Sequence, residues 1–270
     1  MKPLGKKKNP EELLPQAIQY HQDGQFDKAA SIYERILQIN PLHSDALHLL
    51  GVIRHIEGKL EEGVLLIKKA IEQMNYAPHY YNNLGNILKD LNRIPEAITQ
   101  YKMCLKLRPD FGEAHYNLGA IFFQQGQWDE ARLRFEQSLT HNASDPLIYH
   151  HLAYIYEQLG NPEKALTYYQ DALTLKPDYL EVYNNLGNLL KEQGHISLAI
   201  ENYQKALQLN PNYVEAHYNL ARAFQSQNLY EDALQEYQKA IELKPDFLEA
   251  HYHLADLLFE TKELEEASTH

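Results

Sequence analysis

The sequence predicts an all-α fold, a right-handed superhelical solenoid of tandem antiparallel helix hairpins, on the strength of three registers that share one period. Small residues at Gly51, Gly85, Gly119, Ala153, Gly187, Ala221 and Ala255 recur every 34 residues, each preceded by leucine. A second small series, Ala29, Gly63, Ala97, Ala131, Ala165, Ala199, Ala233 and Ala267, keeps the same spacing. Its first seven members are followed four residues later by a large side chain: Tyr33, Ile67, Tyr101, Phe135, Tyr169, Tyr203 and Tyr237. The third register holds Pro41, Pro109, Pro177, Pro211 and Pro245, with Asn75 and Ala143 in the two gaps. A fixed period of this length marks a repeat architecture, in which each unit buries its apolar face only against its neighbours.

The elements follow in order. Residues 1–9 form a flexible basic N-terminus, where Lys2, Lys6, Lys7 and Lys8 read as a solvated tip. The solenoid occupies 10–270, with repeats starting near residues 10, 44, 78, 112, 146, 180, 214 and 248. Pro15 lies inside the first helix of the first repeat and Gln16 replaces the usual leucine, so a short or kinked opening helix is expected. Later first helices carry Asp110, Asp178, Asn212 or Asp246 with Glu113, Glu181, Glu215 or Glu249 three residues on. That is N-cap and capping-box spacing, in which side chains satisfy the free N–H groups of the first turn. Gly24, Gly58, Asn92, Gly126, Gly160, Gly194 and Asn228 then stop each first helix, because glycine and asparagine tolerate the left-handed conformation. Proline ends the second helix, since it cannot continue one. The eighth repeat is truncated at His270 inside its expected second helix. Its Leu254, Leu257, Leu258, Phe259 and Leu264 have no following helix to cover them. This end is expected to continue into a longer protein or to meet a partner, self-association included.

The net charge of −12 disfavours nucleic acid and anionic membranes as partners. Cys104 is the one cysteine, so no disulfide forms within the chain. No apolar segment follows the N-terminal lysines and none approaches 18 residues, which reads as a soluble, cytoplasmic protein.

The Leu-Gly pair, the Ala-x-x-x-aromatic series and the terminal proline together resemble the tetratricopeptide repeat over nearly the whole chain. The resemblance implies a concave face lined by the first helix of every hairpin, with one inward position immediately before the leucine. That position reads Leu49, Asn83, Asn117, His151, Asn185, Asn219 and His253. An asparagine amide offers a donor and an acceptor, so Asn83, Asn117, Asn185 and Asn219 are expected to bond the backbone of an extended peptide. The strings YNNLGNILK from Tyr81 and YNNLGNLLK from Tyr183 are similar to the asparagine ladder in the superhelical arm of O-GlcNAc-transferase-like proteins. His151 and His253 interrupt the series. Flanking candidates for the groove wall are Asn82, Asn86, Lys89, Tyr116, Asn184, Asn188, Lys191, Tyr218 and Arg222. The inward lysines and arginines with which some relatives grip C-terminal carboxylates are absent, so a neutral or partly basic segment fits better. The competing use of the asparagines is structural: they would solvate the groove or bond a neighbouring backbone.

Nothing points to catalysis, a cofactor or a metal. His115, His217 and His251 share one packing register, and no HExxH motif or Cys/His cluster exists. His150 and His151 are adjacent and splay apart on a helix. Cys104 stands where Ala70, Ala172, Ala206 and Ala240 stand in other repeats, a site for a small buried side chain. The reading is a protein-protein interaction module rather than an enzyme. Its alternative is the N-terminal substrate-recruiting arm of a larger enzyme such as an O-GlcNAc-transferase-like glycosyltransferase.

Overall fold

The computed structural model describes residues 9–268, with side chains through Thr261. The lysines of the N-terminal tip, and the side chains of Leu264 and Ala267, lie outside the described residues. Those described form fifteen α-helices and no strand. They group into two compact units that divide between Ala143 and Ser144.

The first unit holds four hairpins: α1 (Pro10–Gln22) with α2 (Phe26–Ile39), α3 (Ser44–Ile56) with α4 (Leu60–Gln73), α5 (Pro78–Asp90) with α6 (Ile94–Leu107), and α7 (Gly112–Gln124) with α8 (Trp128–Leu139). The second holds α9 (Pro146–Gln158) with α10 (Pro162–Leu175), α11 (Leu180–Glu192) with α12 (Ile196–Leu209), α13 (Val214–Ser226) with α14 (Tyr230–Leu243), and the single helix α15 (Leu248–Ser268). Every hairpin turn passes through one left-handed residue, with φ between 59° at Asn92 and Asn228 and 80° at Gly194. Only glycine and asparagine adopt that conformation at low cost, which is why these two residue types fill the register.

Helix approach is set by the small residues. A Cβ added to Gly85 would sit 2.6 Å from Cε1 of Tyr101, and one added to Gly187 would sit 2.5 Å from Cε1 of Tyr203. Glycine lets the tyrosine ring lie flat on the first-helix backbone. Tyr33, Tyr101, Tyr169, Tyr203 and Tyr237, with Phe135 and Ile67, are completely buried on the second helices and form the repeating core. Successive first helices also pack directly on one another: α3 on α5 and α5 on α7 in the first unit, α11 on α13 in the second.

Three expectations are corrected. Of the short or kinked opening helix expected, the shortening is overturned, since α1 has the same 13 residues as α3 despite Pro15. Pro15 and Glu11 are exposed, so the Glu11 carbonyl that loses its helical donor faces solvent. The capping boxes do not form. The N-caps of α7, α11 and α13 are Phe111, Tyr179 and Tyr213, one residue past the acidic or amide side chain, and none makes a side-chain cap. Asp110 instead accepts from Arg108 at 3.1 Å. The inter-hairpin turns are closed from within the helix, by side chains reaching back six residues to a carbonyl. His115 bonds Pro109, His217 bonds Pro211, His251 bonds Pro245, Tyr81 bonds Asn75 and Tyr183 bonds Pro177, at 2.8 to 3.1 Å. Finally, among the described residues the eighth repeat has no turn and no second helix. Lys262 occupies the left-handed register, where any residue with a Cβ pays a cost, and α15 runs through it as one helix of 21 residues.

Candidate functional site

The candidate residues all lie on first helices, and the fold treats them unequally. In the first unit Asn83 on α5 is partly exposed, and its Nδ2 donates to Nε2 of His48 on α3 at 2.9 Å. His48 is 3% exposed and stacks on Tyr80 with ring centres 4.3 Å apart. Burial, then the charges of His79 and His21, pushes its pKa down to about 3, so its imidazole is neutral and accepts. Asn117 on α7 donates to Oδ1 of Asn86 at 3.0 Å and to Oδ1 of Asn82 at 3.4 Å. Tyr101 donates to the same Asn86 oxygen at 2.8 Å. Glu113 closes the group, its Oε1 accepting from Asn82 at 2.8 Å and from Asn86 at 3.3 Å.

The second unit builds a matching group. Asn185 on α11 donates to Nε2 of His150 on α9 at 3.0 Å, and His150 Nδ1 bonds the hydroxyl of Tyr179 at 3.1 Å. Burial, then His151, lowers His150 to about 4, so it too is the neutral acceptor. Asn219 on α13 donates to Oδ1 of Asn184 at 3.0 Å, and Tyr203 donates to Oδ1 of Asn188 at 2.7 Å.

Burial corrects part of the expected site. Asn82 is 1% and Asn184 5% exposed, so neither can touch a ligand, and both serve as acceptors that fix Asn117 and Asn219. Asn117 is itself 6% exposed with both amide hydrogens engaged, which leaves its oxygen alone for an incoming group. The partly exposed candidates are Asn83, Asn86, Lys89, Asn185, Asn188, Lys191 and Asn219, while Arg222 is exposed. Tyr116 packs on Phe135 at 5.6 Å between ring centres, and Tyr218 on Phe247 at 5.0 Å, so their rings serve the core more than the wall. His151 is half-buried, with Nδ1 bonded to the Leu147 carbonyl of its own helix at 2.7 Å.

His48, His150, Glu113 and the hydroxyls of Tyr101 and Tyr203 are the members that inspection of single repeats misses. The signal for the two histidines is a spacing of 35 rather than 34, shared by Asn83 to His48, Asn117 to Asn82, Asn185 to His150 and Asn219 to Asn184. One full repeat plus one residue is the offset at which adjacent first helices face each other.

Cys104 is buried, and burial followed by the charge of Glu113 pushes its thiol up to about 12, which keeps it protonated and unreactive. No helix among the described residues is long and apolar enough to cross a membrane.

Comparison with known proteins bears on the family and the fold. A TPR repeat model matches residues 85–126, 119–160, 187–228 and 221–262, and tetratricopeptide repeat models match 14–78 and 146–179. Protein O-mannosyl-transferase TMTC2 of Homo sapiens is 32% identical over 95 residues, which cover 34% of this chain and 11% of that protein. Tetratricopeptide repeat protein 8 of Caenorhabditis elegans is 27% identical over 126 residues, 46% of this chain and 25% of that one. The chain thus spans a quarter or less of the length of these two curated relatives. Among solved structures, YrrB, described as a TPR protein with an unusual peptide-binding site, superposes with a TM-score of 0.62 at 26% identity, covering 69% of this chain and 96% of its own. The C-terminal part of a TPR repeat-containing protein from Cytophaga hutchinsonii superposes with a TM-score of 0.72 at 16% identity, covering 89% and 99%, a likeness of fold alone.

Proposed function

Since this chain belongs to the tetratricopeptide repeat family, we propose that it is a protein-protein interaction module that holds an extended segment of a partner against its first helices. The observation that carries this reading is the pair of asparagine groups, each pinned by neutral histidine, tyrosine and asparagine partners. An amide held in advance by internal bonds can present its remaining hydrogen or oxygen to a peptide without losing side-chain entropy on binding. Asn185 and Asn219 keep one amide hydrogen and an oxygen for this purpose, and Asn83 keeps one amide hydrogen, its oxygen accepting from Asn82 at 3.4 Å. The peptide-binding site named for YrrB lends support from a protein of similar fold. The buried, protonated Cys104 suits a reducing compartment, and we place the module in the cytoplasm.

The test is site-specific photocrosslinking from source lysate. A benzophenone amino acid at Lys89 or Arg222, on first helices, is expected to capture a partner that the same probe at Leu65 or Leu198, exposed on second helices, does not. Capture from the second-helix positions alone would move the binding face and defeat the proposal.

A second reading, that the chain is the protein-holding portion of a larger transferase, draws on the match to the O-mannosyl-transferase TMTC2. Transcript sequence downstream of His270 tests it: a transferase domain in frame supports it, and a stop codon there removes it.

A further inference from the structure

The two asparagine groups are copies of one another at a separation of three repeats. Adding 102 residues, three times 34, turns His48, Asn82, Asn83, Asn86, Tyr101 and Asn117 into His150, Asn184, Asn185, Asn188, Tyr203 and Asn219. The bonds transfer with the residues. Asn83 to His48 is 2.9 Å and Asn185 to His150 is 3.0 Å; Tyr101 to Asn86 is 2.8 Å and Tyr203 to Asn188 is 2.7 Å. Asn117 to Asn82 is 3.4 Å and Asn219 to Asn184 is 3.0 Å. Adjacent repeats do not share this frame. The position before the ladder runs His48, Asn82, Tyr116, then His150, Asn184, Tyr218, before Tyr252 ends the correspondence, so the polar face holds two copies of a three-hairpin pattern. The correspondence extends to packing and turn-closing residues, Gly85 with Gly187, Tyr81 with Tyr183 and His115 with His217, so each segment carries the frame complete with the residues that position it.

The copies differ in charge. Ala120 in the first unit corresponds to Arg222 in the second. In the first copy Glu113 lies on the frame itself, bonded to Asn82 and Asn86, and Lys89 is the cation nearby on the same helix. In the second copy the corresponding Glu215 makes no such bond among the described residues, and Lys191 is joined by Arg222, whose guanidinium lies 5.8 Å from the Tyr218 ring centre. No carboxylate lies within ion-pair distance of Lys191 or Arg222 among the described residues. Burial, then the field of Arg222, pushes Lys191 down to about 8, although Glu192 next to it in sequence pulls the other way. Lys191 on α11 and Arg222 on α13 are 31 residues apart, the spacing at which Asn86 and Asn117 meet in the first copy, and neither has an ion-pair partner among the described residues, which leaves a place for an anion.

We infer that the chain carries two equivalent main-chain-binding frames, and that the copy in the second unit selects a segment bearing an aspartate or glutamate, held by Lys191 and Arg222, while the copy in the first unit does not. This rests on the groove reading above and changes its charge preference: a neutral or basic segment suits the first copy, and an acidic one the second.

The experiment uses the whole chain and a display library of random dodecapeptides. Peptides are selected on wild type and retested on Asn83→Ala, Asn185→Ala and the double variant Lys191→Gln/Arg222→Gln, with helicity and Tm checked for each. Two classes are expected. Peptides that need Asn185 should be enriched in Asp and Glu and should weaken at least about tenfold on the double variant, the size of one charge-assisted contact. Peptides that need Asn83 should lack that enrichment and bind the double variant unchanged. If the Asn185-dependent peptides show no acidic enrichment, or keep their Kd on the double variant, the charge selection is overturned while the groove reading stands. Binders indifferent to both asparagines, or no binders at all, would overturn the groove reading and this inference together.

Discussion

At the residue scale, the hydroxyls of four core tyrosines take different partners according to the first-helix residues they pack against. Where the first helix offers glycine, at Gly85 and Gly187, the tyrosine lies close and its hydroxyl donates to the next residue, Asn86 or Asn188. Where it offers alanine, at Ala153 and Ala221, the hydroxyls of Tyr169 and Tyr237 bond Glu157 and Gln225, four residues on, at 3.0 and 2.9 Å. The polar frame therefore depends on glycine as much as on asparagine. Gly187→Ala is expected to push Tyr203 away from Asn188 and to destabilise the chain by about 1–3 kcal/mol, the usual cost of overpacking, read as a lower urea midpoint. A wild-type midpoint in this variant would show that the ring contact is loose. The residue identities at these positions were legible in sequence as a packing register. Their effect on Asn188 was not, because it depends on where a ring settles after two helices dock.

At the element scale, the hairpin turn is the most constrained feature of each repeat. Asn92 and Asn228 sit at φ 59° without being glycine. Asn228→Gly is expected to be neutral or slightly stabilising, whereas Asn228→Ala should cost about 1–2 kcal/mol, since alanine has no local hydrogen bond to offset its Cβ clash. Equal denaturation midpoints for the two variants would contradict the role of the left-handed residue. The same rule accounts for α15, where Lys262 at this register coincides with an unbroken helix. Turn positions were read correctly from composition because the constraint is local. Capping was not, because Asp110, Asp178 and Asn212 lie one residue short of the N-caps of α7, α11 and α13, and the spacing of Asp to Glu cannot reveal where the chain enters the helix. His115, His217 and His251 close the turns instead, by a bond that needs the helix already formed.

At the scale of the whole molecule, the histidines give opposite pH responses. His48 and His150 are held neutral, at about 3 and about 4, below the ordinary value of 6.5. The unfolded chain binds more protons below 6.5, so each is expected to remove stability as pH falls from there toward its folded value, by about 1.4 kcal/mol per pH unit. His48→Gln should flatten the acid limb measured by chemical denaturation between pH 6.5 and 4; an unchanged limb would place the proton uptake elsewhere. His217 behaves in reverse. Burial pulls its pKa down, but its bonds to Glu236 at 2.5 Å and to the Pro211 carbonyl outweigh that and raise it. Its contribution is complete below pH 6.5 and is lost as pH rises through the raised value. Glu236→Gln is therefore expected to cost more stability at pH 6 than at pH 9, and a pH-independent cost would refute the ion pair.

The 34-residue register, taken alone, determined the all-α class, the hairpin order, the turn residues and the helices that carry the polar face, because each of these follows from backbone propensity and periodic burial. The tertiary structure decided which asparagines reach solvent, which histidines are neutral, and which side chains bond to form each polar frame. Those properties belong to pairs of residues 35 apart on different helices, and a pair acquires its burial, its proton and its bond only when the helices meet.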